Sequence, residues 1–118
     1  MGLTTVNLQI RSLKDPKKTV ESEFLVDSGA FYTVLPRNLV KKLALKPDGV
    51  REFSLADARK IKRYISNALI KLEGEEIAVP VILGEKDDTA LLGVQALEAM
   101  GLILDPFSRK LYPAKLTL

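Results

Sequence analysis

The chain contains neither histidine nor cysteine, so its chemistry must come from carboxylates, lysines, tyrosines and hydroxyls. A Ser-His-Asp triad, a cysteine nucleophile, a Cys/His zinc site and a disulfide framework are all excluded within one chain. What remains is carboxylate acid/base work or a Ser/Lys pair, and the second finds no motif. The first finds Phe24-Leu25-Val26-Asp27-Ser28-Gly29-Ala30: an apolar run ending on an acid, then a hydroxyl and a glycine. An acid behind a buried run is costly unless the chain turns there and gives it partners. Ser28 and Gly29 suit such a turn, because glycine reaches backbone angles closed to other residues and a serine hydroxyl bonds nearby backbone groups. These residues alone fit an ordinary turn at a strand end equally well, and the rest of the chain must decide.

The elements around Asp27 follow from periodicity. Val6, Leu8 and Ile10 alternate with polar residues and predict a half-buried strand over 3–11, turned at 14–18 around Pro16 into a returning strand, Thr19 to Val26, that ends on Asp27. Phe31 to Leu35 is β-prone and predicts a short inward strand. Pro36 suits a first helical turn, with Leu39, Val40 and Leu43 at helical spacing. Val50 to Leu72 predicts a long hairpin whose tip falls at Leu55, Ala56, Asp57, Ala58 and Arg59; its apolar phase slips near Tyr64-Ile65, which predicts a bulge or bend. After a turn at Glu73-Gly74-Glu75 comes a strand to Leu83, where Pro80 argues for an edge or a bulge. Ala90 to Leu92 predicts a short buried strand ending at Gly93, Val94 to Met100 a short helix closed by Gly101, 102–104 a core strand and 110–118 an apolar terminal strand. The order strand, turn, strand, helix after Asp27 is weakly echoed at Leu92-Gly93 and the helix behind it.

With 118 residues, 47% of them apolar and 28% charged, the expectation is one globular domain over 1–118 that buries about two thirds of its unfolded surface. No apolar run reaches bilayer length and the first ten residues lack the order of a secretory signal, so the expected compartment is the cytoplasm, with no membrane partner. A net charge of +3 is too small to argue nucleic-acid binding. The basic runs at 14–18 and 59–63 have no interleaved aromatics to stack bases and are expected to be solvated faces.

In its motifs the chain resembles the retroviral-type, retropepsin-like aspartic proteases, the single-domain relatives of pepsin, with more likeness to cellular and prokaryotic members than to viral ones. Phe24 to Ala30 matches their apolar-apolar-Asp-Ser/Thr-Gly-Ala loop, Thr33-Val34-Leu35-Pro36 follows at the family's distance, and Leu91-Leu92-Gly93 matches the apolar-apolar-Gly motif that supports that loop. Leu97, Gly101-Leu102 and Asp105 extend the likeness. Two features depart from it: Phe31 and Val94 stand where retroviral members commonly place an acid and an Arg that brace the dimer, and the hairpin tip lacks the usual glycine.

The resemblance implies a mainly β fold, a retropepsin-like acid-protease β-barrel with one or two short helices and a flap hairpin. It implies aspartic endopeptidase activity with Asp27 as the catalytic acid. Ser28, Gly29, Ala30, Leu91, Leu92 and Gly93 would support the loop or line the cleft, and residues 55–59 would close over an extended peptide. No cofactor or metal is implied. Because the mechanism needs two carboxylates sharing one proton and the chain carries one Asp-Ser-Gly, the active particle would be a homodimer, with the apolar C-terminal strand as the candidate contact. The alternatives are a dimeric module of the same fold that binds peptides without cutting them and, from another class, a small β domain that binds nucleic acid through its basic hairpin.

Overall fold

Alternation of apolar and polar residues does most of the architectural work. The computed structural model describes residues 4–115. Strand β1 (Thr5–Arg11) buries Leu8 and Ile10 and pairs antiparallel with β2 (Thr19–Val26), which buries Phe24 and Val26. The hairpin between them turns on Ser12, whose Oγ accepts the N–H groups of Lys14 and Asp15 at 3.3 Å each. Strand β3 is shorter than the sequence suggests, Thr33–Leu35, because Phe31 and Tyr32 belong to the loop that carries Asp27. Helix α1 (Arg37–Leu43) starts behind Pro36, buries Leu39 and Leu43, and ends at Ala44 in the left-handed region.

Strand β4 (Gly49–Ser54) and the long β5 (Lys60–Leu72) form a hairpin, and β5 continues into antiparallel pairing with β6 (Glu75–Leu83). The β5–β6 turn places Glu73 and Gly74 both at positive φ, the two-residue geometry whose twist matches that of paired strands. The expected bulge at Tyr64-Ile65 is absent. Pairing runs unbroken through both residues, to β4 on one side and β6 on the other. The change of phase instead marks where β5 leaves the exposed hairpin, with Ile61, Arg63 and Ile65 half-covered, and enters the core, with Ser66, Ala68, Ile70 and Leu72 buried. Pro80 lies opposite Asn67, just before β6 gains its second neighbour at Val81, so its missing N–H falls where β6 has a partner on one side only.

Strand β7 (Leu91–Leu92) is inserted between β2, to which it runs parallel, and β3, to which it runs antiparallel. The resulting seven-stranded sheet has the order β1-β2-β7-β3-β6-β5-β4, and a further pairing of β1 with β5 closes it into a ring from which β4 projects. Side chains from every strand of the ring meet inside it, with Leu8, Ile10, Phe24, Leu35, Ile70 and Leu92 fully buried and both helices packed against them. Fully burying a side chain of this size stabilises by about 1.5–3 kcal/mol.

Helix α2 (Val94–Ala99) follows Gly93, and Gly101 turns the chain at positive φ into β8 (Leu102–Asp105). Strand β8 is not the core strand its three apolar residues suggest. Among the described residues it pairs only with β9 (Lys110–Pro113), in a separate two-stranded sheet that rests Leu102, Leu104 and Leu111 on the core and turns Ile103 and Tyr112 outward. The last three residues of the expected terminal strand lie outside the described residues. Among those described, no helix is long and apolar enough to cross a membrane.

Candidate active site

Strand β2 delivers Asp27 to the rim of the ring. The run Phe24-Leu25-Val26 is held on one side by β1 and on the other by β7, and the Asp27 N–H still donates to the Leu92 carbonyl at 3.1 Å. Thr4 extends the other edge, its carbonyl accepting the Val26 N–H at 2.8 Å. The chain then turns: the Ala30 N–H donates to the Asp27 carbonyl at 3.2 Å, and the Gly29 N–H donates to Asp27 Oδ1 at 2.9 Å. The carboxyl group is therefore half-exposed with one oxygen fixed by backbone, and Ser28 and Gly29 are exposed beside it.

The loop is supported from beneath by the second motif. Leu92 is fully buried and anchors β7 in the core. Gly93 lies directly under the loop: a Cβ there would stand 2.5 Å from the backbone of Tyr32 and 2.6 Å from the Phe31 carbonyl oxygen. Only a residue without a side chain permits that crossing. The Gly93 N–H donates to the buried Thr33 Oγ1 at 3.1 Å, and the next two amides rise into the loop, Val94 to the Ala30 carbonyl at 2.8 Å and Gln95 to the Phe31 carbonyl at 3.0 Å. The two motifs seen in the sequence are thus two halves of one hydrogen-bonded unit. Thr33 enters the sequence reading only as part of the Thr33-Val34-Leu35-Pro36 match, with no role of its own; a polar residue in an apolar strand is the signal that could have marked it.

The β4–β5 hairpin extends from this end of the molecule. Its tip, Leu55 to Arg59, closes by paired backbone bonds, Leu55 N–H to the Arg59 carbonyl at 2.7 Å and Ala58 N–H to the Leu55 carbonyl at 3.0 Å. Asp57 holds Arg59 through its backbone N–H at 3.1 Å and its guanidinium at 2.6 Å. Ala58 sits at φ 69, the left-handed conformation glycine takes most easily. One edge-to-face contact, Tyr32 to Phe53 with ring centroids 5.9 Å apart, joins the hairpin to the Asp27 loop, and Phe31 stacks edge-on against Tyr32 at 5.1 Å.

Between the hairpin and strands β3, β6 and β7 lies a cavity of about 140 Å³ walled by Val34, Phe53, Ile61, Ile82 and Leu91. Of the second motif only Leu91 faces this space; Leu92 belongs to the core and Gly93 to the loop crossing. The rim is charged and internally paired: Arg63 Nε donates to Asp88 Oδ2 at 2.9 Å, and the same carboxylate oxygen accepts the Glu85 N–H at 2.7 Å. The Arg63 hydrogen bond holds the Asp88 carboxyl below the usual carboxylate range, against the opposing effect of partial burial, and the Glu85 N–H adds to the lowering. Among the described residues no three acidic side chains converge as a metal site would require.

The closed ring, the strand-borne Asp-Ser-Gly loop and the glycine-supported crossing beneath it define the retropepsin-like aspartic protease fold. The chain belongs to the family described as gag-polyprotein putative aspartyl protease, whose model matches residues 17–99. Among solved structures it is similar to the EIAV protease in complex with an inhibitor, at a TM-score of 0.67 and 18% identity over 99% of this chain and 94% of that one. It is also similar to the simian foamy virus (mac) protease, at 0.56 and 15% identity over 80% and 94% of the two chains. A third match is the foamy viral protease-reverse transcriptase in complex with an RNA/DNA hybrid, at 0.57 and 17% identity, where 96% of this chain covers 13% of that one. A comparison with curated protein sequences finds no match.

Proposed function

We propose that the chain is an aspartic endopeptidase acting as a homodimer, one domain over 1–118 in each subunit, with two Asp27 carboxylates brought together across a twofold axis. The observation that carries this reading is Asp27 itself, presented half-exposed on a family loop whose backbone is bonded to Leu92, Val94 and Gln95. One acid of the pair would take a proton from a water attacking the peptide carbonyl while the other, still protonated, polarises that carbonyl. Two carboxyls about 3 Å apart cannot both ionise readily, so the pair would share one proton. No cofactor is needed for this chemistry.

Ser28 and Ala30, exposed and half-buried beside the acid, would meet the second copy and the substrate. The β4–β5 hairpin would serve as the flap, adding its edge to an extended peptide while the cavity at Leu91 takes a side chain. In place of the missing acid–Arg brace, the outward face of β8–β9 offers a dimer contact. Ile103 and Tyr112 are cross-strand neighbours, both exposed, with Phe107 at the tip 95% exposed. The chain as a whole would work in the cytoplasm on unfolded or extended polypeptide.

The test is cleavage of an unfolded protein between mildly acid and neutral pH, alongside the solution mass. Asp27→Asn is expected to lower the rate at least about 100-fold with the dimer retained. Cleavage that persists in Asp27→Asn, or a strictly monomeric active particle, would refute the mechanism. Peptide binding by a dimer with no cleavage at any pH would make the chain a binding module of the same fold.

A further inference from the structure

A second cavity lies away from the one walled by Phe53 and Leu91. It has a volume of about 220 Å³ and lies where the β1–β2 turn meets the end of α1 and the root of the β4–β5 hairpin. It is at the opposite end of β2 from Asp27, and the eight residues of that strand at about 3.3 Å each separate the two by roughly 25 Å. Its floor is aliphatic, from Leu13, Leu43 and Leu45, and Leu13 is 46% exposed where a turn residue would ordinarily be polar. Such a volume falls below the roughly 300–1,000 Å³ of small-molecule and cofactor sites and matches one or two aliphatic side chains.

The charges around it are unevenly committed. Two carboxylates line the cavity, and both are bonded within the fold: Asp48 Oδ2 accepts Ser66 Oγ at 3.3 Å and Asn67 Nδ2 at 3.4 Å, and Asp15 Oδ1 accepts the Lys17 N–H at 3.2 Å. Lys14, Lys18 and Lys46 also line it, and among the described residues none of these ammonium groups is in an ion pair. With three lysines against two carboxylates the lining carries a net charge of +1, and an apolar floor inside it complements a chain that offers an aliphatic side chain between carboxylates.

We propose that this cavity is a docking site for an acidic polypeptide segment carrying a leucine-sized side chain, independent of whether Asp27 cleaves anything. Binding here would place a partner against Asp48, whose N–H donates to the Ile65 carbonyl at 2.8 Å and closes the root of the β4–β5 hairpin.

The probe is a fluorescein-labelled peptide, Glu-Asp-Leu-Leu-Asp-Glu, followed by fluorescence anisotropy and by amide chemical shifts of the isotope-labelled full chain. Saturable binding is expected, with shifts concentrated at 12–18 and 44–48. Replacing both probe leucines by serine is expected to weaken it at least tenfold, and the combined variant Lys14→Glu, Lys18→Glu, Lys46→Glu to weaken it by as much or more. Equal binding of the serine probe would reduce the site to diffuse charge attraction and overturn the proposal. So would shifts confined to the Asp27 end, an absence of saturation, or a single-stranded oligonucleotide binding the same amides more tightly than the peptide. The probe comparison needs no altered protein, so the proposal stays testable even if the triple variant fails to fold.

Discussion

The Asp27 loop and the tip of the β4–β5 hairpin are both turns, yet they are secured in opposite ways. The loop is held from outside itself, by amides of Gly93, Val94 and Gln95 reaching up from a distant part of the chain into Thr33, Ala30 and Phe31. Among the described residues the hairpin tip is held by itself alone, through Leu55–Arg59 backbone bonds and the Asp57–Arg59 pair, with Leu55 half-buried and residues 56–59 exposed. A turn bonded to a buried scaffold opens only when the scaffold does, whereas a turn bonded to itself can move as a unit on its two strands. One end of the cleft is therefore built for fixed geometry and the other for displacement, with the Tyr32–Phe53 contact as the aromatic link between them.

The sharpest way to break the fixed half is Gly93→Ala. The new methyl would stand 2.5 Å from the Tyr32 backbone, where no flexible side chain can yield, so the loop or β7 must shift. A loss of about 3 kcal/mol is expected, seen as a melting temperature lower by roughly 10–20 °C, together with loss of any Asp27-dependent activity. A melting temperature within a few degrees of the parent would show that the crossing is looser than its hydrogen bonds imply.

Tyr32→Leu tests the link rather than either half. Losing the edge-to-face contacts with both Phe53 and Phe31 is expected to cost about 1–3 kcal/mol. Its signature is regional: faster amide exchange across 50–62, with protection at Gly93, Val94 and Gln95 unchanged. Equal loss of protection in loop and hairpin would mean that the two regions move together.

The same contrast explains what the sequence discloses. Elements secured by local pattern are legible in it: the β1–β2 alternation, the strand ending on Asp27, and the helices behind Pro36 and Gly93. The second motif is legible only through its resemblance, because Leu91-Leu92-Gly93 says nothing of its own about what crosses above it. The β1–β5 pairing that closes the ring joins Gln9–Arg11 to Leu69–Lys71, a separation no local period encodes. Burial phase misled at Tyr64-Ile65, where a change of surroundings along an unbroken strand looks the same as a bulge. It misled again at Leu102–Leu104, where three consecutive apolar residues read as a core strand although Ile103 faces outward from a hairpin resting on the core.

The smallest expected effect comes from the converse substitution at the other turn. Ala58 holds φ 69, which costs an alanine roughly 1 kcal/mol that glycine would not incur, and Ala58→Gly removes that strain. It also adds freedom to the unfolded chain worth about 0.4–1 kcal/mol in the opposite sense. The two nearly cancel, so stability is expected to stay within about 0.5 kcal/mol while amide exchange at 55–59 quickens. One methyl group gained at Gly93 and one lost at Ala58 would then differ several-fold in their effect on stability. If Ala58→Gly instead cost as much as Gly93→Ala, the hairpin tip would have to be secured by contacts beyond its own turn, and the division of the cleft into a fixed and a movable half would fail.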